Sequence, residues 1–465
     1  DERSTARAAA LSRFEPGAKL AVLVPDGPLV HEVFVAAEKA GLVVVGIGPR
    51  AGEREIEHLI RATGAAALVA GPAHAETARG LGIPLLDLSD EWPRVEPRPS
   101  APPMASTDLF LLNSTSGTTG LPKIVMHSQA RWVFFHRLAV TAADLRVGDV
   151  FMSVIPAPFG FGLWTAHFTP ALLGSPCVLM QRFDPESCLE LIARERVAVL
   201  ACVSTQFVML LNSPAFDRHD LSSLRVMFTG GEMVPAERAA EFEDRTGCAV
   251  LQFFGSNETG ALSGTTRRDP RERRLRTAGR VIPEMNVRLF ADDGRDVTGA
   301  GGPGVAACRG PTNCYGYYGG DDANGQLYTE DGWMRTGDIC TIDADGYLTV
   351  AGRSSDFIIR GGKNVSAAVV EDEVASHPAV ALAAAVAAPD PVFGERVCVY
   401  VELRPGVAEP TLDDLRAHLA ARGLGKESWP EHLVVVDTLP RSSGAKIAKG
   451  ALRADIRRRL GASEQ

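Results

Sequence analysis

Between residues 19 and 71 short apolar runs alternate with amphipathic stretches, and this alternation restricts the fold more than any other feature of the chain. Residues 19–25 (KLAVLVP), 42–48 (LVVVGIG) and 65–71 (AAALVAG) read as buried strands. Residues 31–41 and 53–64 carry helical periodicity and end on Gly41 and Gly64, residues suited to a helix C-terminus. Strand, helix and strand in turn imply an α/β sheet with parallel pairs. At 465 residues the chain is too long for one ordinary core, so two or more domains are expected. A proline-rich polar stretch, residues 92–106, reads as a connector that delivers the chain to its next strand.

After that connector comes an apolar strand end, Leu109-Phe110-Leu111-Leu112, then Ser114-Thr115-Ser116-Gly117-Thr118-Thr119-Gly120 and Leu121-Pro122-Lys123. Small hydroxyl and glycine residues let successive backbone N–H groups converge on one point, which makes an anion site. The hydroxyls add donors, and Lys123 adds a mobile positive charge. The GxxxxGK[ST] pattern of NTPase P-loops is absent. A flexible Ser/Gly linker is the alternative, but linkers seldom join an apolar strand to a Pro-Lys pair.

TSGTTGLPK resembles the phosphate loop, (S/T)SGTTGxPKG, of the adenylate-forming superfamily of acyl-CoA synthetases, carrier-loading adenylation domains and luciferases. Ile124 stands where that family usually has glycine. Four further motifs follow in family order, the first of them preceded by a strand and a paired-glycine turn. Gly230-Gly231-Glu232 closes an apolar strand, where bare backbone lets a flat base lie close. QFFGSNETG (252–260) resembles the family's QxYGxTE. Together they imply an adenine and phosphate site of Gln252, Phe253, Phe254, Gly255 and Asn257, with Glu258 holding Mg2+. Phe254 replaces the family tyrosine and Asn257 the usual threonine. Asp338, in the motif Trp333 to Asp338, matches the aspartate that binds the ribose hydroxyls. Residues 345–365 resemble GYLxxxGRxxDxIxxxGxxI, which implies Arg353 at ribose and phosphate, a hinge at Ser355, and Gly361 and Gly362 beside the pantetheine arm of CoA. LPRSSGAKIAKGALR (439–453) aligns Lys446 with the catalytic lysine; Ala445 replaces a glycine, and Lys449 is the competing lysine.

Phe159, Phe161 and Trp164 alternate with Gly160 and Gly162. Spacing alone favours ordinary core. The matching stretch in the family borders the acyl pocket, which implies that Phe159, Phe161, Gly162 and Trp164 line it. No carboxylate is present there to receive an α-ammonium group, which counts against an amino-acid substrate. The region resembles 2-aminobenzoate– and cyclohexanecarboxylate–CoA ligases more than fatty-acyl enzymes. Residues 175–183 read as a strand ending in Arg182, a position that approaches CoA in acyl-CoA synthetases; a solvated arginine explains it equally well.

A net charge of −9 gives no basis for a nucleic-acid partner, and the arginines between Arg267 and Arg276, broken by Asp269, Pro270 and Glu272, read as a solvated loop. Eight cysteines show no metal-ligand spacing and fit a reducing compartment. No signal peptide or run of spanning length is evident, so a cytoplasmic location is expected. Compared with the family the chain is expected to lack an N-terminal piece.

The resemblance implies an α/β fold. A large domain of stacked sheets and helices with a β-barrel-like part would cover residues 1–352. A small mobile α+β domain, 353–465, would carry the hinge and Lys446. It also implies an ATP-dependent carboxylate–CoA ligase using ATP, Mg2+ and coenzyme A, with Lys446, Glu258 and Thr118 as catalytic groups. ATP would further contact Thr115, Ser116, Gly117, Thr119, Gly120, Lys123, Gly230, Gly231 and Glu232. The expected acid is aryl, alicyclic or of medium length; a homodimer is one assembly that the family allows. The rivals are a stand-alone enzyme loading an acid onto a carrier protein and a nucleotide-binding regulator without turnover.

Overall fold

The computed structural model describes residues 2–88, 92, 104–115, 122–291, 293–353, 356–441 and 446–461. It divides into two compact units: residues 1–184 with 255–261 and 310–334, and residues 185–254 with 262–309 and 335–465.

In the first unit the expected alternation forms one sheet. Its strands are β1 (Lys19–Leu23), β2 (Val43–Gly46), β3 (Ala67–Ala70), β4 (Leu85–Asp87), β5 (Leu109–Ser114) and β6 (Ile124–Ser128), in the order β4-β3-β1-β2-β5-β6. All neighbours are parallel except β5 and β6, which are antiparallel. The connecting helices Pro28–Lys39 and Glu53–Thr63 occupy the stretches that the periodicity marks. The second buries Ile56, Leu59, Ile60 and Thr63, the i, i+3, i+4, i+7 stripe of a helix lying on a sheet. It stops because Gly64 takes a left-handed φ of 63°, which glycine adopts without a Cβ clash. Its stripe packs with Leu68, Val45, Leu112 and Ile124 into one core, where each buried aliphatic side chain contributes about 1.5–3 kcal/mol. Two short parallel strands, β7 (Phe151–Ser153) and β8 (Cys177–Leu179), complete the strands of residues 104–184. The second ends before Arg182, which is exposed in the loop beyond it rather than at a strand end.

The second unit holds three groups of strands. Strands β9 (Val199–Ala201), β10 (Val226–Gly230) and β11 (Ala249–Ser256) run parallel, with β12 (Gly260–Gly264) and β13 (Arg280–Val281) beyond them. A four-stranded sheet follows, in the order β14 (Val287–Phe290), β15 (Gly304–Cys308), β16 (Met334–Ile342), β17 (Leu348–Arg353). Last comes a sheet of β18 (Phe357–Arg360), β19 (Lys363–Ser366), β20 (Val380–Asp390), β21 (Gly394–Leu403) and β22 (His432–Val435). Helices Ala367–Ala375 and Leu412–Ala421 cover it, burying Val370, Val374, Leu415 and Leu419 against Val397, Val399 and Val401. Both helices are capped by hydroxyls, Ser366 and Thr411.

The arginine-rich stretch is a solvated loop only in its first part, where Arg267 and Arg268 lie exposed in a turn. Residues Arg271–Arg276 form a short helix in which Arg274 is buried and bonded to Glu243. Arg271 reaches Glu243 and Asp244 at 2.9 and 2.6 Å, and Arg273 reaches Asp343 at 2.7 Å. Acids distant in sequence pair with three of its arginines. Among the described residues no helix is long and apolar enough to cross a membrane, and all eight cysteines are free.

Candidate active site

In the first unit the phosphate-loop sequence joins the two strands of an antiparallel hairpin. Ser114 pairs with Ile124, and Thr115 N–H donates to the Lys123 carbonyl at 3.0 Å, closing the base of the loop. Ser116, Gly117, Thr118, Thr119 and Gly120 lie outside the described residues. Ile124 is buried in the sheet core, which accounts for a side chain where the family has glycine. Lys123 Nζ lies over the ring of Tyr317, 4.7 Å from its centroid.

The Tyr317 hydroxyl donates to Glu258 Oε1 at 2.7 Å. Glu258 sits in a tight turn in which Ser256 Oγ accepts the N–H groups of Glu258 and Thr259. Gly255 opens that turn, and a Cβ there would fall 1.6 Å from the Gly260 carbonyl oxygen. Only glycine fits so close to backbone.

Asn257 is the centre of a buried network. Its Nδ2 donates to Asn113 Oδ1 at 2.7 Å, and Asn113 Nδ2 donates in turn to the Pro158 carbonyl at 2.8 Å. Asn113 Oδ1 also lies 2.7 Å from His127 Nε2, so that nitrogen carries the proton. Nδ1 is then left to accept from Arg131, whose guanidinium also donates twice to the Asn257 carbonyl at 3.1 Å. Burial, then the nearby Arg131, holds His127 well below its ordinary pKa, which keeps the imidazole neutral and this tautomer in place. The side chain that replaces the family threonine is thus spent on fixing three segments: the strand before the phosphate loop, the acidic turn and the aromatic stretch.

In that stretch Phe161 stacks on Trp164, and Trp164 on Phe135, with centroids 5.6 and 5.7 Å apart. Trp164 is 4% exposed and Phe161 half-buried. Phe159 lies against Gly48, where a Cβ would come within 3.0 Å of the ring. A Cβ on Gly162 would fall 2.3 Å from the Pro156 carbonyl oxygen, so close helix-to-backbone packing by itself explains that glycine. Leu163–Phe168 is a turn of π-helix, a widened helical turn common at functional sites.

In the second unit β10 ends on the paired glycines. Gly231 has a φ of 80°, and a Cβ on it would lie 3.3 Å from Lys446 Cε and 3.4 Å from Nζ. Glu232 Oε1 accepts the backbone N–H and the hydroxyl of Thr205, both at 2.8 Å, at the start of helix Ser204–Asn212. A carboxylate there satisfies orphan helix donors. Phe253 packs across Gly264 and tilts on Phe228, Phe254 packs with Ala278, Leu289 and Cys340, and Gln252 Nε2 donates to the Arg274 carbonyl at 3.0 Å. Asp338 faces Arg353 across β16 and β17, with Nε 3.1 Å from Oδ1. Burial pushes Asp338 up from the ordinary carboxylate range, while Arg353 and Lys446 pull it down. Lys446, Asp338, Arg353 and bare Gly231 therefore belong to one neighbourhood. Lys449 points elsewhere, to Glu371 at 2.8 Å and Asp356 at 3.8 Å. Gly361 and Gly362, with φ of 57° and 81°, are the two turn residues of the β18–β19 hairpin. Ser355 lies outside the described residues.

Residues 1–318 match the AMP-binding enzyme family, and residues 369–446 match the AMP-binding enzyme C-terminal domain. The chain belongs to the AMP-binding enzymes. Among curated AMP-binding enzymes it is 35% identical to a medium-chain fatty-acid–CoA ligase of Escherichia coli K12, over 74% of this chain and 61% of that one. It is 33% identical to a feruloyl-CoA synthase from Amycolatopsis sp, over 96% of this chain and 89% of that one. The chain spans 61–64% of the length of the first curated relatives it matches. A crystal structure of an anthranilate CoA ligase in complex with anthranoyl-AMP superposes with a TM-score of 0.91 at 25% identity, covering 99% of this chain and 92% of that one. The α/β fold expected from the family is the fold of these AMP-binding enzymes. Four buried members of the site, Asn113, His127, Arg131 and Tyr317, escaped the motif comparison. Only the position of Asn113 directly before the loop, and of Tyr317 in the glycine- and tyrosine-rich 314–320, marks them locally.

Proposed function

We propose that this AMP-binding enzyme is an ATP-dependent carboxylate–CoA ligase for an aryl, alicyclic or medium-length acid. The observation that carries the proposal is the gathering of Lys446, Gly231, Asp338 and Arg353. It brings a cation, bare backbone and a carboxylate held by a guanidinium to one neighbourhood. In the first half-reaction a carboxylate oxygen of the acid attacks the α-phosphorus of ATP. The bond to the β-phosphate oxygen breaks, giving acyl-adenylate and pyrophosphate. Both reactants are anionic, so charge is the main barrier, and a preorganised ammonium at Lys446 lowers it. Asp338 accepts hydrogen bonds from the ribose hydroxyls, and Arg353 opposes the upward push of burial on its carboxyl. Lys123 holds phosphate charge. Glu258 fits a divalent cation: it is partly exposed, and its carboxylate accepts from the neutral Tyr317 hydroxyl. A Mg2+ held there, with phosphate oxygens as further ligands, would neutralise the triphosphate.

In the second half-reaction the CoA sulfur attacks the acyl carbon and AMP leaves, the thiol proton passing to solvent. Lys446 is then superfluous, so residues 353–465 are proposed to pivot as a small domain near Ser355 and present Gly361 and Gly362 to the thiol. The partly exposed faces of Phe159 and Phe161 support a flat or compact acid, as do the substrates named for the feruloyl and anthranilate relatives.

The test supplies ATP, Mg2+ and a panel of acids (2-aminobenzoate, benzoate, cyclohexanecarboxylate, ferulate, octanoate, palmitate) with either CoA or a phosphopantetheinyl carrier protein. Products are read by mass spectrometry. Acyl-CoA from the compact acids, and little from palmitate, is the expected result. Adenylate that ignores CoA but loads the carrier would replace this proposal with carrier loading.

A further inference from the structure

The site holds a residue that no motif assigns. We propose that Tyr317 is a positioning residue that presents Glu258 to the metal and keeps Lys123 from neutralising it. This rests on Glu258 being the metal-holding carboxylate of the proposed reaction.

Tyr317 is fixed with unusual completeness. Its N–H donates to Asn324 Oδ1 at 2.7 Å, and Asn324 Nδ2 donates to its carbonyl at 2.8 Å. One amide side chain clamps both backbone groups of one residue. Its neighbours are locked as well: Tyr315 N–H donates to the Met126 carbonyl, and Tyr318 N–H to the Ile124 carbonyl. Tyr317 is thereby held against Val125, in the strand that leaves Lys123. The Cys314 N–H donates to the Glu258 carbonyl at 2.8 Å, which ties the same segment to the acidic turn. Tyr317 as a whole is 7% exposed. Packing alone would be met by phenylalanine. The hydroxyl is explained by its bond to Glu258 Oε1.

The kind of donor matters. A lysine or arginine on Glu258 would cancel the charge that a divalent cation needs. A phenol orients the carboxylate and leaves its charge intact, with one oxygen engaged and the other available. On the face of the same ring sits the Lys123 ammonium, held by the π-cloud rather than by Glu258. One phenol therefore carries an acid at its edge and a cation on its face, and both charges stay available for magnesium and phosphate.

The test is Mn2+ affinity by electron paramagnetic resonance with a non-hydrolysable ATP analogue. Analogue affinity without metal and melting temperature are measured beside it. Tyr317→Phe is expected to raise the Mn2+ Kd about 10-fold or more, the usual loss when a metal ligand's orienting partner is removed. Metal-free analogue affinity and melting temperature should stay near those of the unaltered chain. Glu258→Gln should raise the Mn2+ Kd at least as far, and adding Tyr317→Phe to it should change nothing more. If Tyr317→Phe binds Mn2+ as the unaltered chain does while Glu258→Gln does not, the role of Tyr317 is overturned and that of Glu258 stands. Equal losses with and without metal, tracking a lower melting temperature, would also overturn it as a purely structural effect. If Glu258→Gln leaves Mn2+ affinity unchanged, the metal assignment falls and this inference with it.

Discussion

Lys446 and Lys449 stand three residues apart and sit in opposite surroundings. Lys446 approaches Gly231 and influences Asp338. Lys449 is held by Glu371, whose carboxyl is pushed up by burial and pulled back by that lysine. Lys446→Ala should therefore slow adenylate formation by about 10²–10³-fold, with far less effect on thioester formation from preformed adenylate. Lys449→Ala should instead cost about 1–3 kcal/mol of stability, because it leaves the largely buried Glu371 carboxylate with the Ala385 N–H but without its cation. The two half-reactions and a urea titration separate these effects; a larger adenylation defect in Lys449→Ala would reverse the assignment. Glu38 gives a second residue-scale prediction. Burial pushes it up to about 7, and a bond from Gln129 lowers it only partly; its Oε1 has no partner. Unfolded, it titrates near its ordinary 4.5. Between those values the folded chain keeps a proton that the unfolded chain has released. Stability should fall as pH rises through about 5 to 7, by at most about 1.4 kcal/mol per pH unit. Glu38→Gln should flatten that slope in denaturation series at several pH values, and identical slopes would show that Glu38 is not its source.

At the scale of elements the helical turns after Phe159 join packing to substrate choice. Trp164 lies inside the aromatic stack, whereas Phe161 keeps an exposed face. Trp164→Ala should cost about 3–5 kcal/mol of stability for every substrate alike. Phe161→Ala should change kcat/KM between benzoate-sized and bulkier acids by roughly 1–3 kcal/mol, with little change in melting temperature. Uniform losses that track melting temperature in both variants would make the whole stretch core. Gly162→Ala should destabilise without altering preference, since its Cβ meets a carbonyl oxygen 2.3 Å away. The family resemblance put this glycine at the acyl pocket, and nothing in the sequence marks the Pro156 carbonyl packed against it. The strands and helices of residues 19–71 were legible because periodicity is local. The network of Asn113, His127, Arg131 and Asn257 was not, because its central pair is separated by 144 residues and leaves no period.

For the whole molecule, family and fold could be recognised from five short motifs, each of which keeps its chemistry in a few adjacent residues. The two compact units interleave along the chain. Residues 255–261 and 310–334 join the first unit from the middle of the second, so sequence order does not follow spatial order. The central claim is that this chain joins an acid to AMP. Its most direct measurement is exchange of labelled pyrophosphate into ATP in the presence of single acids. Exchange requires reversible adenylate formation and needs neither CoA nor a carrier. The account predicts exchange that depends on added acid, is strongest with compact aryl or alicyclic acids, and falls about 10²–10³-fold in Lys446→Ala. If the chain binds ATP but no acid in a broad panel raises exchange above the acid-free blank, the chain is a nucleotide binder without turnover and the account is wrong.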